Sequence, residues 1–230
     1  MLKLNFLGRG SAFNVKEGNT SAYVKNGKDF ILLDCGEDVF ERIINNNLLN
    51  DVTNVYVIIT HLNSDHIGSL SSLIYYCYYI KNITPNIYFP SAELQQLLNI
   101  MGHSREFNLT LSEIDVVLNI HDISFKFIPV THIEKMNCYG VIIQDKDNTI
   151  YYSGDSNNIS ENILNRLNEV DYLYQDTSLA DYTGSPHLSL RKLCELIPKQ
   201  WRSKVYCMHI DSDELIIQAK EQGFNIVEIN

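Results

Sequence analysis

The chain has 230 residues, of which 45% are hydrophobic and 20% charged, and its formal net charge is −10. That length suits one domain spanning 1–230 with a core large enough for a layered fold. The acidic balance repels long polyanions, which argues against extended RNA or DNA as a substrate and leaves small phosphate compounds open.

Strand patterns open the chain at Leu2–Leu7, Ser21–Lys25 and Phe30–Asp34, punctuated by Gly8, Gly10, Gly18 and Gly27. The Gly8–Gly10 stretch lacks the spacing of a phosphate cradle and reads as a sharp turn. Glu37–Asn45 has helical spacing, with Val39, Phe40, Ile43 and Ile44 on one face. A strand at Val55–Thr60 and a polar turn follow, then a helix from Leu70 to Ile80 with Leu70, Leu73, Ile74 and Cys77 inward. Further strands are expected at Ile87–Phe89, Ile114–Val117, Ser124–Pro129, Gly140–Gln144, Ile150–Ser153, Asp171–Tyr174, Val205–Cys207 and Ile226–Ile229. Helices are expected at Ala92–Met101, Glu161–Leu167, Leu188–Leu196 and Asp213–Gln222. Strands in both halves, with helices between and after them, predict two packed sheets covered by helices.

Five scattered cysteines (Cys35, Cys77, Cys138, Cys194 and Cys207) show no CxxC spacing and read as reduced thiols of a cytoplasmic protein. The N-terminus reads as a strand and not a signal peptide, and no apolar run is long enough for a membrane partner. The run Tyr75-Tyr76-Cys77-Tyr78-Tyr79 leaves tyrosines half exposed, which favours a homodimer contact over base stacking. His103 and His121 end no motif and are expected to serve the fold.

The densest chemistry lies in Thr60-His61-Leu62-Asn63-Ser64-Asp65-His66, at the end of an apolar strand. Imidazoles and a carboxylate in one turn are ligands for a borderline metal such as zinc. Four more polar residues end apolar strands: His132, Asp155 after Gly154, Asp176 and His209.

In order and spacing these residues resemble the metallo-β-lactamase superfamily from about Leu2 to Ile229. The resemblance implies an α/β fold, an αββα four-layer sandwich, with two divalent metal ions at its rim: zinc, with manganese or magnesium as alternatives. It assigns His61, His132 and the position-63 side chain to one metal, Asp65, His66 and His209 to the other, and Asp155 to both. Asn63 departs from the pattern, since a histidine is usual there. Two readings stay open: direct ligation by its carboxamide, or a hydrogen bond to water at the metal.

Gln175-Asp176-Thr177-Ser178 with Pro186-His187-Leu188-Ser189 looks like the RNase Z branch of that superfamily. By that resemblance Asp176 orients His187, His187 contacts the phosphate and protonates the leaving oxygen, Asp65 helps hold the nucleophile's proton, and Asp34 supports the metal turn. The first hairpin, Phe6-Leu7-Gly8 to Ser21, is similar too. RNase Z inserts a tRNA-gripping arm between the lone histidine and the Gly-Asp step, but here His132 and Asp155 are only 23 positions apart. The armless spacing resembles phage and bacterial cyclic-nucleotide phosphodiesterases that counter cyclic-nucleotide antiviral signalling. A small nucleotide substrate, most simply a 3′,5′-cyclic mononucleotide, is therefore expected, with action in the host cytoplasm if the source is viral. Two rival readings are an RNase Z-like nuclease acting on RNA, and a non-catalytic nucleotide-binding protein whose metal site is degraded at Asn63. A carbonyl hydrolase fits less well, because Asp176 and His187 suit a phosphate.

Overall fold

The computed structural model describes residues 2–114 and 116–229. Met1, Asp115 and Asn230, and with them part of the strand expected over Ile114–Val117 and the two ends of the expected domain, lie outside the described residues. The first sheet has the order β1 (Asn5–Gly8), β2 (Ser21–Asn26), β3 (Asp29–Leu33), β4 (Asn54–Ile58), β5 (Asn86–Phe89), β6 (Asn108–Leu111). The second runs β13 (Asn225–Ile226), β12 (Val205–Met208), β11 (Tyr172–Asp176), β10 (Thr149–Tyr152), β9 (Tyr139–Gln144), β8 (Ile123–Pro129), β7 (Val117–Ile120). Every residue of β3, which is antiparallel to β2 and parallel to β4, is buried, as a central strand covered on both faces requires.

Period-two alternation separates the layers. In β10, Ile150 and Tyr152 pack into the core between the sheets, while Tyr151 joins the outer core. In β11, Tyr174 faces inward and meets the Phe6 ring at 5.2 Å, and Leu173 faces outward. That outer face is covered by α5 (Glu161–Leu164), α6 (Leu190–Leu196) and α7 (Asp213–Glu221), through Ile163, Leu193, Leu215 and Ala219. The first sheet is covered by α1 (Val39–Asn45), α3 (Leu70–Tyr75) and α4 (Glu93–Ile100), through Val39, Ile43, Leu73, Ile74, Leu94 and Leu98. The result is the expected αββα sandwich.

Strand direction places the functional edge. β3 and β4 are parallel. In the second sheet β10, β11 and β12 are parallel, and β8 shares their direction because both β8 and β10 run antiparallel to β9. Asp34, Thr60, His132, Asp155, Asp176 and His209 therefore all sit at or just beyond carboxyl ends of strands, where open α/β sheets place their ligands.

Three elements differ from the sequence reading. In place of the strand expected over Ile114–Val117 there are two, β6 before it and β7, which begins at its last residue, Val117. Ile114 and Val116 are 47% and 44% exposed in the link between the sheets, so their apolar character misleads. The helix begun at Leu70 becomes a π-helix over Tyr76–Ile80. The polar turn contains a short helix, α2 (Ser64–Ile67), with Asp65 and His66 buried.

Gly36 lets the metal turn dock. A Cβ there would fall 2.1 Å from Asp65 O and 2.6 Å from Asn19 Cβ. Gly27, by contrast, has φ +60° with nothing within 4 Å of a Cβ. Gly36→Ala is therefore expected to lower the denaturant midpoint more than Gly27→Ala, whose left-handed backbone costs about 1–2 kcal/mol. Equal losses in the two variants would contradict this close approach.

Candidate metal centre

Asp155 is the hub. It is 2% exposed, and five imidazoles surround its carboxylate. His66 Nε2 lies 3.1 Å from Oδ1, while His209 Nε2, His132 Nε2, His61 Nε2 and His187 Nδ1 lie 3.4, 3.6, 3.8 and 3.9 Å from Oδ2. Asp65 Oδ2 adds contacts of 3.3 Å to His209 Nε2 and 3.5 Å to His66 Nε2.

Each of these imidazoles is steered by an oxygen on its other side or, for His187, on the same nitrogen. Thr60 Oγ1 donates to Asp34 Oδ2 at 2.9 Å, so its lone pair accepts from His61 Nδ1 at 3.1 Å. His66 Nδ1 donates to Asp34 Oδ2 at 2.9 Å, and His132 Nδ1 to Pro186 O at 2.9 Å. His209 Nδ1 faces Asp176 Oδ1 at 3.5 Å. These contacts fix the tautomers and turn the Nε2 lone pairs of His61, His66 and His132 inward, as carboxylate and carbonyl partners of metal-bound histidines do. His61 Nε2 and His66 Nε2 are buried with no hydrogen-bond partner.

The electrostatics ask for a cation. Burial raises the Asp155 carboxyl, but His209, His66 and His61 outweigh it and hold it well below the usual carboxylate range. Burial lowers His209, yet Asp155 and Asp176 push it up to about 10. Burial likewise lowers His66, and Asp155 and Asp34 reverse this, raising it well above 6.5. His61 goes the other way, well below its ordinary value, through burial and the nearby His66. Buried carboxylates favour positive charge at these imidazoles, a role that divalent ions fill when present. Orphaned inward lone pairs and excess buried negative charge both fit a divalent metal.

Among the described residues, three groups offer ligand atoms within 4.8 Å of one another: Asp65, His66, Asp155 and His209; His61, His132 and Asp155; and Asp155, Asp176, His187 and His209. The structure thus brings together His61, Asp65, His66, His132, Asp155 and His209. Asn63 lies on the His132 side, with Nδ2 at 3.4 Å from His132 Nε2. Turning its amide would present Oδ1 instead. Asp176, fully buried, accepts from His187 Nδ1 at 2.7 Å and from Ser156 N at 3.0 Å. Burial lowers His187 and Asp176 raises it, with a net rise above 6.5. His187 keeps 25% of its side chain exposed, so the Asp176–His187 pair stands at the open margin of the centre.

Sequence reading missed Thr60 and Pro186. Thr60 acts through its hydroxyl and Pro186 through a backbone carbonyl, and neither role leaves a residue-type signature. His103 and His121 lie apart: His103 bonds Ser71 Oγ at 2.7 Å, and His121 pairs with Asp29 at 3.1 Å.

A family model described as Anti-Pycsar protein Apyc1 matches residues 2–229. The chain belongs to this family. An Anti-Pycsar protein Apyc1 of Bacillus phage BSP38 is 26% identical over 231 residues, covering 90% of this chain and 88% of the relative. Among solved structures, the metallo-β-lactamase fold protein YhfI from Bacillus subtilis superposes with a TM-score of 0.76 at 19% identity, covering 99% of this chain and 95% of YhfI. The short form of human tRNase Z gives 0.71 at 17% identity, covering 92% and 93%. The chain therefore has the metallo-β-lactamase fold. No helix among its described residues is long and apolar enough to cross a membrane.

Asn63→His would add a third imidazole beside His61 and His132. It is expected to slow the stripping of metal by a chelator relative to wild type, measured by mass spectrometry of retained metal over time. An unchanged rate would place position 63 outside the ligand sphere.

Proposed function

We propose that this protein is a metal-dependent phosphodiesterase that opens 3′,5′-cyclic mononucleotides, and that it acts in the host cytoplasm against cyclic-nucleotide defence signalling. The observation that carries the reading is the Asp176–His187 pair beside the Asp155 cluster: a proton donor held at the margin of a metal centre. Membership of a family named Anti-Pycsar supports the biological setting.

His61, His132, Asp155 and, on the amide side, Asn63 would hold one divalent ion, and Asp65, His66, His209 and Asp155 the other. Imidazole and carboxylate suit zinc best, with manganese next, while the carboxamide leaves magnesium open at the first position. Bound there, divalent ions acidify a water and neutralise charge on phosphoryl oxygens.

The chain's own residues supply the rest. Water oxygen bonds to phosphorus as the P–O3′ bond breaks. Asp65 takes up the proton that water loses. His187 gives its Nε2 proton to the departing O3′, and its Nδ1 proton stays hydrogen-bonded to Asp176 Oδ2. A nucleoside 5′-monophosphate results. The stretch between His132 and Asp155 is filled by β9 and β10 and their links, which leaves no arm for gripping tRNA and favours a compact phosphodiester over the nuclease reading.

The test is incubation of metal-loaded protein with 3′,5′-cyclic mononucleotides, cyclic dinucleotides and precursor tRNA, with products identified by mass. Ring-opened mononucleotides are expected. Retention of intact nucleotide without product would favour a binding protein, and trimmed tRNA a nuclease. His187→Asn is expected to lower turnover by about 10²–10⁴-fold with metal content unchanged. Undiminished turnover would remove His187 from the reaction.

We also propose a homodimer through the run Tyr75–Tyr79, where Tyr79 is 58% exposed and is followed by Ile80 at 64%. Wild type is expected to sediment as a dimer and a Tyr79→Asp/Ile80→Asp variant as a monomer. A monomeric wild type would overturn the assignment.

A further inference from the structure

Phe13 is 97% exposed, and Val15, two residues on, is 84% exposed. Full exposure of a phenylalanine forgoes the burial that such a ring normally gains. The loop that carries it is not loose. Arg9 Nε donates to Glu17 Oε2 at 2.6 Å, Lys16 Nζ bonds the Asp213 carboxylate at 2.9 Å, and Gly10 N donates to Gly18 O at 2.7 Å. Phe13 is therefore held out in water by a braced support.

The brace is tied to the metal centre. Ser11 N at 3.0 Å and Asn14 Nδ2 at 2.9 Å both donate to Ile210 O, one residue beyond His209. Thr20 Oγ1 donates to Gly10 O at 3.0 Å and accepts from His209 N at 3.1 Å. One hydroxyl thus joins the base of the loop to the backbone of His209. Phe13 lies between Ser11 and Asn14, in a loop whose two anchors both meet Ile210 O, the residue after His209. Tyr182, 58% exposed, belongs to a neighbouring segment that is anchored where Leu179 N meets Asp211 Oδ2 at 2.8 Å.

We infer that Phe13 is a substrate-binding residue: a platform on which the nucleobase of the substrate stacks while the phosphate sits at the metal centre. The inference rests on the nucleotide reading of the site and deepens it. Every base offers a π-face, so a bare aromatic ring next to a phosphate-handling centre grips nucleotides without fixing which base they carry. The net charge of −10 weakens the alternative that the ring inserts into an anionic membrane.

The test is equilibrium binding by calorimetry, on metal-loaded protein, of phosphorothioate analogues of 3′,5′-cyclic AMP and cyclic UMP. A base-free methyl riboside 3′,5′-cyclic phosphorothioate serves as control. Phe13→Ala is expected to weaken both nucleotide analogues by about tenfold and leave the base-free ligand unchanged, with Phe13→Trp restoring affinity. Equal binding by wild type and Phe13→Ala, equal loss for the base-free ligand, or a wild type that binds nucleotide no better than the base-free ligand would each overturn the inference. So would a change of sedimentation state in Phe13→Ala, which would assign the ring to a second copy of the chain. If the base-dependent loss appears but wild type hydrolyses no cyclic nucleotide, the catalytic reading fails and the platform stands.

Discussion

A carboxylate buried among imidazoles organises this molecule. Asp155 has almost no access to water, and desolvating a carboxylate costs several kcal/mol unless opposite charge surrounds it. Among the described residues, the ion pairs of Asp34, Asp65, Asp155 and Asp176 are all with histidine. A lysine or arginine would have neutralised these groups permanently. Histidine keeps the cluster convertible: each ring can hold a proton or surrender that nitrogen to a metal.

Holding such a cluster open places demands on the backbone. Asp34 and His209 adopt φ of +63° and +59°, and Gly154, just before Asp155, +56°. Left-handed backbone at a residue other than glycine is unfavourable and persists where its surroundings over-determine it. Here they do. Asp34 is fixed by Thr60 N at 2.8 Å, Thr60 Oγ1 and His66, and His209 by Thr20 at its amide and the carboxylates around its ring. Two sheets packed face to face bring strand ends from distant parts of the chain to one edge. The oxygens behind the imidazoles then convert that convergence into aimed lone pairs.

Much of this was legible in the sequence because strand ends are marked twice, by an apolar run and by the polar residue that stops it. His132, Asp155, Asp176 and His209 each carry that double mark, and the structure gathers them at one edge with the His61–His66 turn. What stayed hidden acts through atoms that every residue shares or through short polar pieces. Pro186 works by its carbonyl, and β6 is a four-residue edge strand with little burial. Ile114 and Val116 suggested a strand, but their exposure places them in a link. The bracing of Phe13 was invisible because it depends on Arg9, Lys16 and Thr20 meeting partners up to 218 positions away.

The account stands or falls on whether the Asp155 cluster holds divalent cations. Metal content of purified protein, dialysed with excess zinc or manganese and then against buffer, tests this most directly when wild type is compared with Asp155→Ala. The expected result is about two tightly held ions per wild-type chain and a sharp loss in the variant, whose circular dichroism should remain native-like. A wild type that retains no metal, or a variant that retains as much, would contradict it.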